Sequence, residues 1–99
     1  MSTYNEKIYD ARRRRKRALD LFEYKGGKCQ HCDIRDLEHI EIYDYHHVNS
    51  EEKLFNVGGR LTAPKDRLYK EADKCLLLCA NCHKKEHARI RKEARDYEV

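Results

Sequence analysis

Four of the five cysteines in this 99-residue chain are spaced as two metal-binding pairs. Cys29 and Cys32 form one Cys-x-x-Cys motif, and Cys79 and Cys82 form the second. Each motif makes a tight turn that directs two sulfur atoms at one point, and two such turns complete a tetrahedral site for Zn²⁺. One motif alone would also fit a redox dithiol, but two in a short chain favour structural zinc. The fifth cysteine, Cys75, fits a small buried apolar residue better than a further ligand.

Four of the six histidines form a second group of candidate ligands. His83 and His87 are four residues apart, so on a helix their imidazoles lie on one face, one turn apart. Such a pair on a charged helix is usually a pair of solvent-exposed side chains without a ligand. Here, however, His83 directly follows Cys82, so the second Cys-x-x-Cys motif fixes its backbone position. His46 and His47 end a predicted strand. If that strand packs on the helix, three or four imidazoles converge on a site for zinc, nickel, copper or iron, or for manganese or magnesium with open positions.

An unbroken basic run stands near the N-terminus, with the residues Arg12, Arg13, Arg14, Arg15, Lys16 and Arg17. Six consecutive residues cover more than one helical turn, so these like charges surround the helix and repel one another. The run indicates contact with nucleic-acid phosphate, and a solvated helix face or a targeting signal is the alternative. Phosphate contacts would position DNA and make binding salt-dependent without selecting a sequence.

The composition describes a chain with little apolar material for a core. Charged residues make up 40% of it, the net charge is +4 and the mean hydropathy is −1.07. A chain this short and polar forms one small domain that needs a metal or disulfide staple, which excludes a large-core enzyme and a dinucleotide-binding α/β domain. The longest apolar run, Cys75 to Ala80, is far shorter than the ~20 residues of a membrane span, so no membrane partner is expected. The N-terminus lacks the apolar segment of a signal peptide, which predicts a cytoplasmic protein with reduced thiols.

Helical spacing of apolar residues predicts a helix over residues 4–24, ended by Gly26 and Gly27. Residues 37–47 are rich in β-branched and aromatic side chains and predict a strand. Residues 48–63 are expected to form a loop, and residues 64–74 a helix that begins at a proline. From His83 onward the chain is charged and free of glycine and proline, which predicts a C-terminal helix.

The order of these motifs resembles the HNH endonucleases, in the small bacterial and phage type that a four-cysteine zinc site stabilises. The similarity covers residues 26–88. It rests on Gly26-Gly27-Lys28-Cys29, on the strand that ends at His46-His47, and on Lys74-Cys75-Leu76-Leu77-Leu78-Cys79-Ala80-Asn81-Cys82-His83. The resemblance implies a small zinc-stabilised α+β domain with a ββα-metal core. In it, residues 1–28 form an N-terminal basic helix and residues 29–99 the nuclease domain of one compact unit.

The resemblance also implies roles for the four histidines. His46, His83 and His87 correspond to the ligands of a catalytic divalent ion such as Mg²⁺, Mn²⁺, Ni²⁺ or Zn²⁺. His47 corresponds to the general base that deprotonates the attacking water, a role that suits the ordinary pKa of histidine. Asp44 lies two residues before His46 and fits a residue behind the ligands, or on the surface, better than a ligand.

One position departs from the family pattern. The middle Asn of the motif, which tethers the loop that orients the base, falls at Lys74. Asn49 or Asn56 could supply the tether instead, or Lys74 could reach the loop or a phosphate. The substitution concerns the loop and leaves the set of metal ligands complete.

The function that the resemblance implies is a metal-dependent endonuclease that nicks or cuts double-stranded DNA in a bacterial or phage-infected cell. One alternative is a non-catalytic, zinc-dependent nucleic-acid-binding module with an inert histidine cluster. The other is an accessory subunit of a phage DNA-packaging complex, with the terminase as its protein partner. One domain has one active site, so cutting both strands would require a dimer or two visits.

Overall fold

The computed structural model describes residues 4–97, which form three α-helices and one two-stranded antiparallel sheet. In chain order these are α1 (Tyr4–Tyr24), β1 (Tyr43–His47), α2 (Lys65–Ala72), β2 (Cys75–Cys79) and α3 (Ala80–Tyr97). The small α+β fold expected from the sequence is confirmed. Across these residues, no helix combines the length and the apolar character that crossing a membrane requires.

The end of α1 follows from the glycine pair. Gly26 and Gly27 have φ values of +107° and +70°, in the left-handed region that glycine adopts without steric cost. The backbone N–H of Gly27 donates to the carbonyl of Phe22 at 2.8 Å, which satisfies one of the unpaired carbonyls of the last helical turn. The chain therefore leaves the helix sharply and enters the first cysteine turn.

β1 is shorter than the strand predicted over residues 37–47. The carboxylate of Asp36 accepts hydrogen bonds from the backbone N–H groups two and three residues later, at 3.1 and 3.2 Å. The hydroxyl of Tyr43 donates to the carbonyl of Ile34 and accepts from the N–H of Asp36, both at 2.8 Å. These side-chain bonds hold the segment in turns, in competition with a strand ladder. Only Tyr43–His47 pairs with β2.

The other element boundaries also differ by a few residues. Helix α2 is confined to Lys65–Ala72, directly after Pro64. Residues 75–79, which the sequence left unassigned, form β2. Helix α3 begins at Ala80, earlier than expected, so Cys82 and His83 lie in its first turn.

The register of the sheet determines which way each β1 side chain points. His46 pairs with Leu76 and His47 pairs with Cys75. Because side chains alternate along a strand, Asp44 and His46 point to one face, toward α3, and His47 points to the other, toward α2.

Two groups of buried side chains form the core, and the last turn of α1 contributes to both. The first group comprises Phe22, Cys29, Tyr43, Leu77, Leu78, Cys79 and Cys82. The second comprises Leu21, Val57, Leu68, Ala72 and Cys75. Leu21 belongs to the second group and its neighbour Phe22 to the first, so the last turn of α1 packs against both groups.

Candidate functional site

The two Cys-x-x-Cys motifs meet at one place in the structure. Their four Sγ atoms all lie within 4.8 Å of one another. The Sγ atoms of Cys32 and Cys79 are 3.7 Å apart, and a tetrahedral ion with Zn–S bonds near 2.3 Å separates its sulfurs by about 3.8 Å. Cys29 and Cys82 complete the group, which could hold a structural metal such as zinc.

Backbone hydrogen bonds attach the first cysteine turn to β2. The N–H of Gln30 donates to the carbonyl of Leu77 at 2.8 Å, and the Gln30 side-chain oxygen accepts from the N–H of Leu77 at 2.6 Å. Asp33 closes the turn with a φ of +66° and donates its N–H to the carbonyl of Cys29 at 2.9 Å. The turn is therefore held beside the strand that leads to Cys79.

The pKa values of the clustered cysteine thiols are shifted by their surroundings. Burial raises the pKa of the Cys29 thiol, but backbone N–H groups, including those of Cys32 and Cys79, outweigh it and lower that pKa to about 6. Burial and the neighbouring sulfurs raise the pKa of Cys82. Metal binding requires thiolates, and a divalent cation between the sulfurs relieves the repulsion that opposes ionisation of the whole group.

His46, His83 and His87 form a second group, with one ring nitrogen of each within 4.8 Å of the others. The Nε2 atoms of His83 and His87 are 2.9 Å apart on adjacent turns of α3. The His46 ring, from the end of β1, lies with its centroid 5.3 Å from each of theirs. Burial, followed by the charges of His83 and His87, lowers the pKa of His46 and so favours the neutral form that binds metals. Three imidazoles with a fourth position open are a donor set typical of catalytic metal sites.

Asp44 stands behind this group. The Nδ1–H of His83 donates to Asp44 Oδ2 at 2.9 Å, which leaves Nε2 of His83 with its lone pair directed toward the other imidazoles. A carboxylate in this place fixes the ring orientation and the tautomer of a metal-binding histidine. Asp44 is thus placed as a residue behind the ligands.

His47 lies on the opposite face of β1, against a buried carboxylate. Its Nε2 is 2.7 Å from Oε2 of Glu71, and the two side chains are 5% and 1% exposed. Glu71 also accepts from the Leu54 N–H at 2.9 Å and from Nζ of Lys74 at 2.8 Å. Burial alone would raise the pKa of Glu71, but the bonds from Lys74, Leu54 and His47 outweigh it and lower the pKa to about 2. The carboxylate is therefore ionised, and the proton in the bond to His47 resides on Nε2.

A cleft joins the two faces at the end of β1. It is lined by both neighbouring histidines, His46 and His47, together with His87 of α3 and Asn49 of the following loop. Arg89 lines the same cleft, and its guanidinium is held by the carboxylates of Glu86 and Glu93. The cleft is thus bordered by His47 and by two members of the histidine group, His46 and His87.

The basic run lies along the exposed surface of α1. Residues 12–16 are exposed and Arg17 is half-buried. Arg12, Arg13 and Arg14 form no ion pair with the side chains of residues 6–96, so their charges are available to a partner. Arg14 also lines a groove between α1 and β1 that extends to Asp44.

Of the three candidate tethers for the loop after His47, Lys74 makes the connection. Its Nζ donates to the carbonyl of Glu52 at 2.9 Å. Asn49 acts locally and accepts from the N–H of Glu51 at 3.0 Å. The side chain of Asn56 forms no cap hydrogen bond.

Glu71 is the residue of this site that the sequence analysis missed. The signal that could have found it is positional, because Leu68, Glu71 and Ala72 follow the spacing of one buried helical face. An acidic residue in such a row needs a buried partner. Its partner, His47, comes from a distant part of the chain.

No protein-family model, curated protein or solved structure matches this chain. The structure brings the four predicted cysteines together, and likewise His46, His83 and His87, whereas His47 is separated from that second group by the strand. Cys75 lies outside both groups and is buried in the core.

Proposed function

We propose that this protein is a metal-dependent endonuclease of the HNH type that hydrolyses DNA phosphodiester bonds. The observation that carries the proposal is the cleft at the end of β1, which is lined by His47 and by His46 and His87 of the histidine group. Phosphodiester hydrolysis requires a base for the attacking water and stabilisation of the phosphate and the leaving oxygen. The two kinds of group that meet these requirements border one cleft.

In this proposal His47 removes the proton from the attacking water. Its Nε2 is occupied by the hydrogen bond to Glu71, so Nδ1 receives that proton. A divalent ion held by His46, His83 and His87 supplies Lewis-acid stabilisation of the phosphate and of the leaving 3′-oxygen. The expected products carry a 5′-phosphate and a 3′-hydroxyl.

The arrangement of elements supports the HNH assignment. Two antiparallel strands precede a helix, the first strand ends at the histidine pair, and the helix carries His83 and His87. In the proposed protein the four cysteines bind a structural Zn²⁺ that joins the first turn to the start of α3. The metal that would hold the scaffold is thus distinct from the metal that would act in hydrolysis.

The basic run supports DNA as the substrate. Three arginines that form no ion pair with the side chains of residues 6–96 lie on the exposed surface of α1, and duplex DNA presents phosphates along its whole length. We assign these residues to backbone contacts that hold DNA beside the cleft, with no role in choosing its sequence.

Cleavage of supercoiled plasmid by the zinc-loaded protein tests the proposal, with Mg²⁺, Mn²⁺, Ni²⁺ or Zn²⁺ added in turn. Wild-type protein is expected to produce nicked or linear DNA with at least one of these ions. His47→Ala is expected to lose about 10²- to 10⁴-fold in rate and to retain DNA binding in a gel-shift assay. The matched control is His39→Ala, which removes an exposed histidine whose ring is hydrogen-bonded to the nearby Asp36.

The same assay separates the alternatives. DNA binding without cleavage under any of the four ions would favour the non-catalytic zinc module. Cleavage that appears only after a packaging terminase is added would favour the accessory subunit. Equal rates for wild type and His47→Ala would remove His47 from the mechanism.

A further inference from the structure

Glu71 and His47 are both buried, and they contact each other, yet the proposed reaction uses only His47. A buried carboxylate is costly unless its oxygens are fully hydrogen-bonded. Glu71 meets this condition with three donors: His47 Nε2, the Leu54 N–H and Lys74 Nζ. A carboxylate with donors on both oxygens is held in one geometry, and the ring of His47 is one of those donors.

We propose that Glu71, held in place by Lys74, is a positioning residue that selects the tautomer of His47 and turns its basic nitrogen toward the cleft; the inference rests on the proposed function. A neutral imidazole has one protonated nitrogen and one lone-pair nitrogen. Because Glu71 accepts the proton on Nε2, the lone pair is on Nδ1. No other oxygen of the described residues is hydrogen-bonded to the His47 ring.

The position of Nδ1 agrees with this role. Among residues 6–96, every buried side-chain nitrogen and oxygen has a hydrogen-bond partner. Nδ1 of His47 has no hydrogen-bond partner among these residues, so it is not fully buried, and His47 lines the cleft.

Lys74 links the same carboxylate to the loop that follows His47. Its Nζ bridges Oε1 of Glu71 and the carbonyl of Glu52, at 2.8 and 2.9 Å. The N–H of Leu54 on Glu71 Oε2 adds a second attachment of that loop. The loop supplies Asn49 to the cleft wall, so Glu71 and Lys74 together fix both the base and the wall beside it.

Two substitutions separate positioning from simple stabilisation. Glu71→Leu fills a similar volume and removes the acceptor of three donors. Removal of one partner from a buried ion pair is destabilising, so the folding of this variant is checked by circular dichroism before the two readouts below. Glu71→Gln keeps an oxygen for His47 and Leu54, and replaces the oxygen that accepts from Lys74 by an amide nitrogen. The matched control is Lys70→Ala, which changes the exposed neighbour of Glu71 on α2.

The first readout is nitrogen NMR of the histidine side chains in the zinc-loaded 99-residue protein. The spectra are recorded at a pH above the ordinary pKa of histidine, so that neutral imidazole is observed. Wild type, Glu71→Gln and Lys70→Ala are expected to show His47 protonated on Nε2, and Glu71→Leu a mixture of tautomers. Wild-type protein with the His47 proton on Nδ1 would overturn the inference. This wild-type measurement depends neither on DNA cleavage nor on the folding of any variant.

Steady-state cleavage gives the second readout. Glu71→Leu is expected to lower kcat by about 10- to 100-fold, with KM for DNA and the calorimetric affinity of the histidine group for Mn²⁺ or Ni²⁺ unchanged. Glu71→Gln is expected to remain near wild type. A folded Glu71→Leu with full kcat, or one whose metal affinity falls in parallel, overturns the positioning role. Wild-type protein that cleaves no DNA refutes the proposed function itself, so the two failures are distinguishable.

Discussion

The last turn of α1 connects the basic helix to the core, and Phe22→Ala tests that connection. The Phe22 side chain is 1% exposed. Its ring lies 4.6 Å from the ring of Tyr43 at an interplanar angle of 58°, and the guanidinium of Arg35 lies 5.7 Å from its centroid. The substitution removes the contact between this α1 side chain and Tyr43, the first residue of β1.

The expected loss follows from burial. Truncation of a buried phenylalanine to alanine costs about 3–5 kcal/mol, from lost transfer free energy and the cavity left behind. The tilted pair with Tyr43 accounts for about 0.5–1.5 kcal/mol of this. In a domain of this size, 1 kcal/mol shifts Tm by about 4–8 °C, so Tm should fall by roughly 15–30 °C.

Thermal unfolding followed by far-ultraviolet circular dichroism measures this shift. The free Zn²⁺ concentration must be buffered at one value, because a ligand bound only to the folded state changes Tm by mass action. Tyr9→Ala is the matched control, since Tyr9 is an aromatic residue of the same helix that is 68% exposed, and it should leave Tm nearly unchanged. A shift below about 5 °C for Phe22→Ala, at equal zinc content, would refute the packing of α1 on the hairpin.

Three further perturbations address the two candidate metal groups and the basic run. Cys79→Ser should unfold the protein, because structural zinc at a four-cysteine site would contribute on the order of 10 kcal/mol to folding. A Cys79→Ser variant that binds no zinc and still shows a folded circular-dichroism spectrum would contradict a structural site. Asp44→Ala should weaken binding of a divalent ion at His83 and its neighbours by about 10- to 100-fold in calorimetry, and an unchanged affinity would remove Asp44 from the site. Replacing Arg13 and Arg14 by glutamine should reduce the slope of log affinity against log salt by about 2, and an unchanged slope would mean that neither contacts phosphate.

The parts of the structure predicted from sequence are those that local patterns specify. Helix α1 and its end at Gly26 follow from apolar spacing and from backbone freedom at two adjacent glycines. The grouping of the cysteines follows from the chemistry of the Cys-x-x-Cys turn, which requires a second pair to complete a site. Each glycine pair or Cys-x-x-Cys motif lies within a few positions, and the two cysteine motifs were paired because only together do they supply four ligands.

The parts that were not predicted depend on residues far apart in sequence. Glu71 is separated from His47 by 24 positions, and nothing near either residue indicates that they meet. The same applies to Gln30, which reaches across 47 positions to Leu77. The start of β1 was misplaced for a different reason, because one tyrosine hydroxyl and one aspartate hold the preceding segment in turns.

The alternation along β1 has a consequence for which sequence changes the hairpin can tolerate. His46 and His47 are neighbours in the chain, but one faces α3 and the other faces Glu71. Insertion or deletion of one residue between Tyr43 and His46 that shifted the pairing would turn each imidazole to the opposite face. His46 would then leave the face of His83 and His87, and His47 would leave Glu71, although the composition of the strand would hardly change. Lineages of this protein should therefore accept many substitutions in β1 and length changes only in the segments on either side of it.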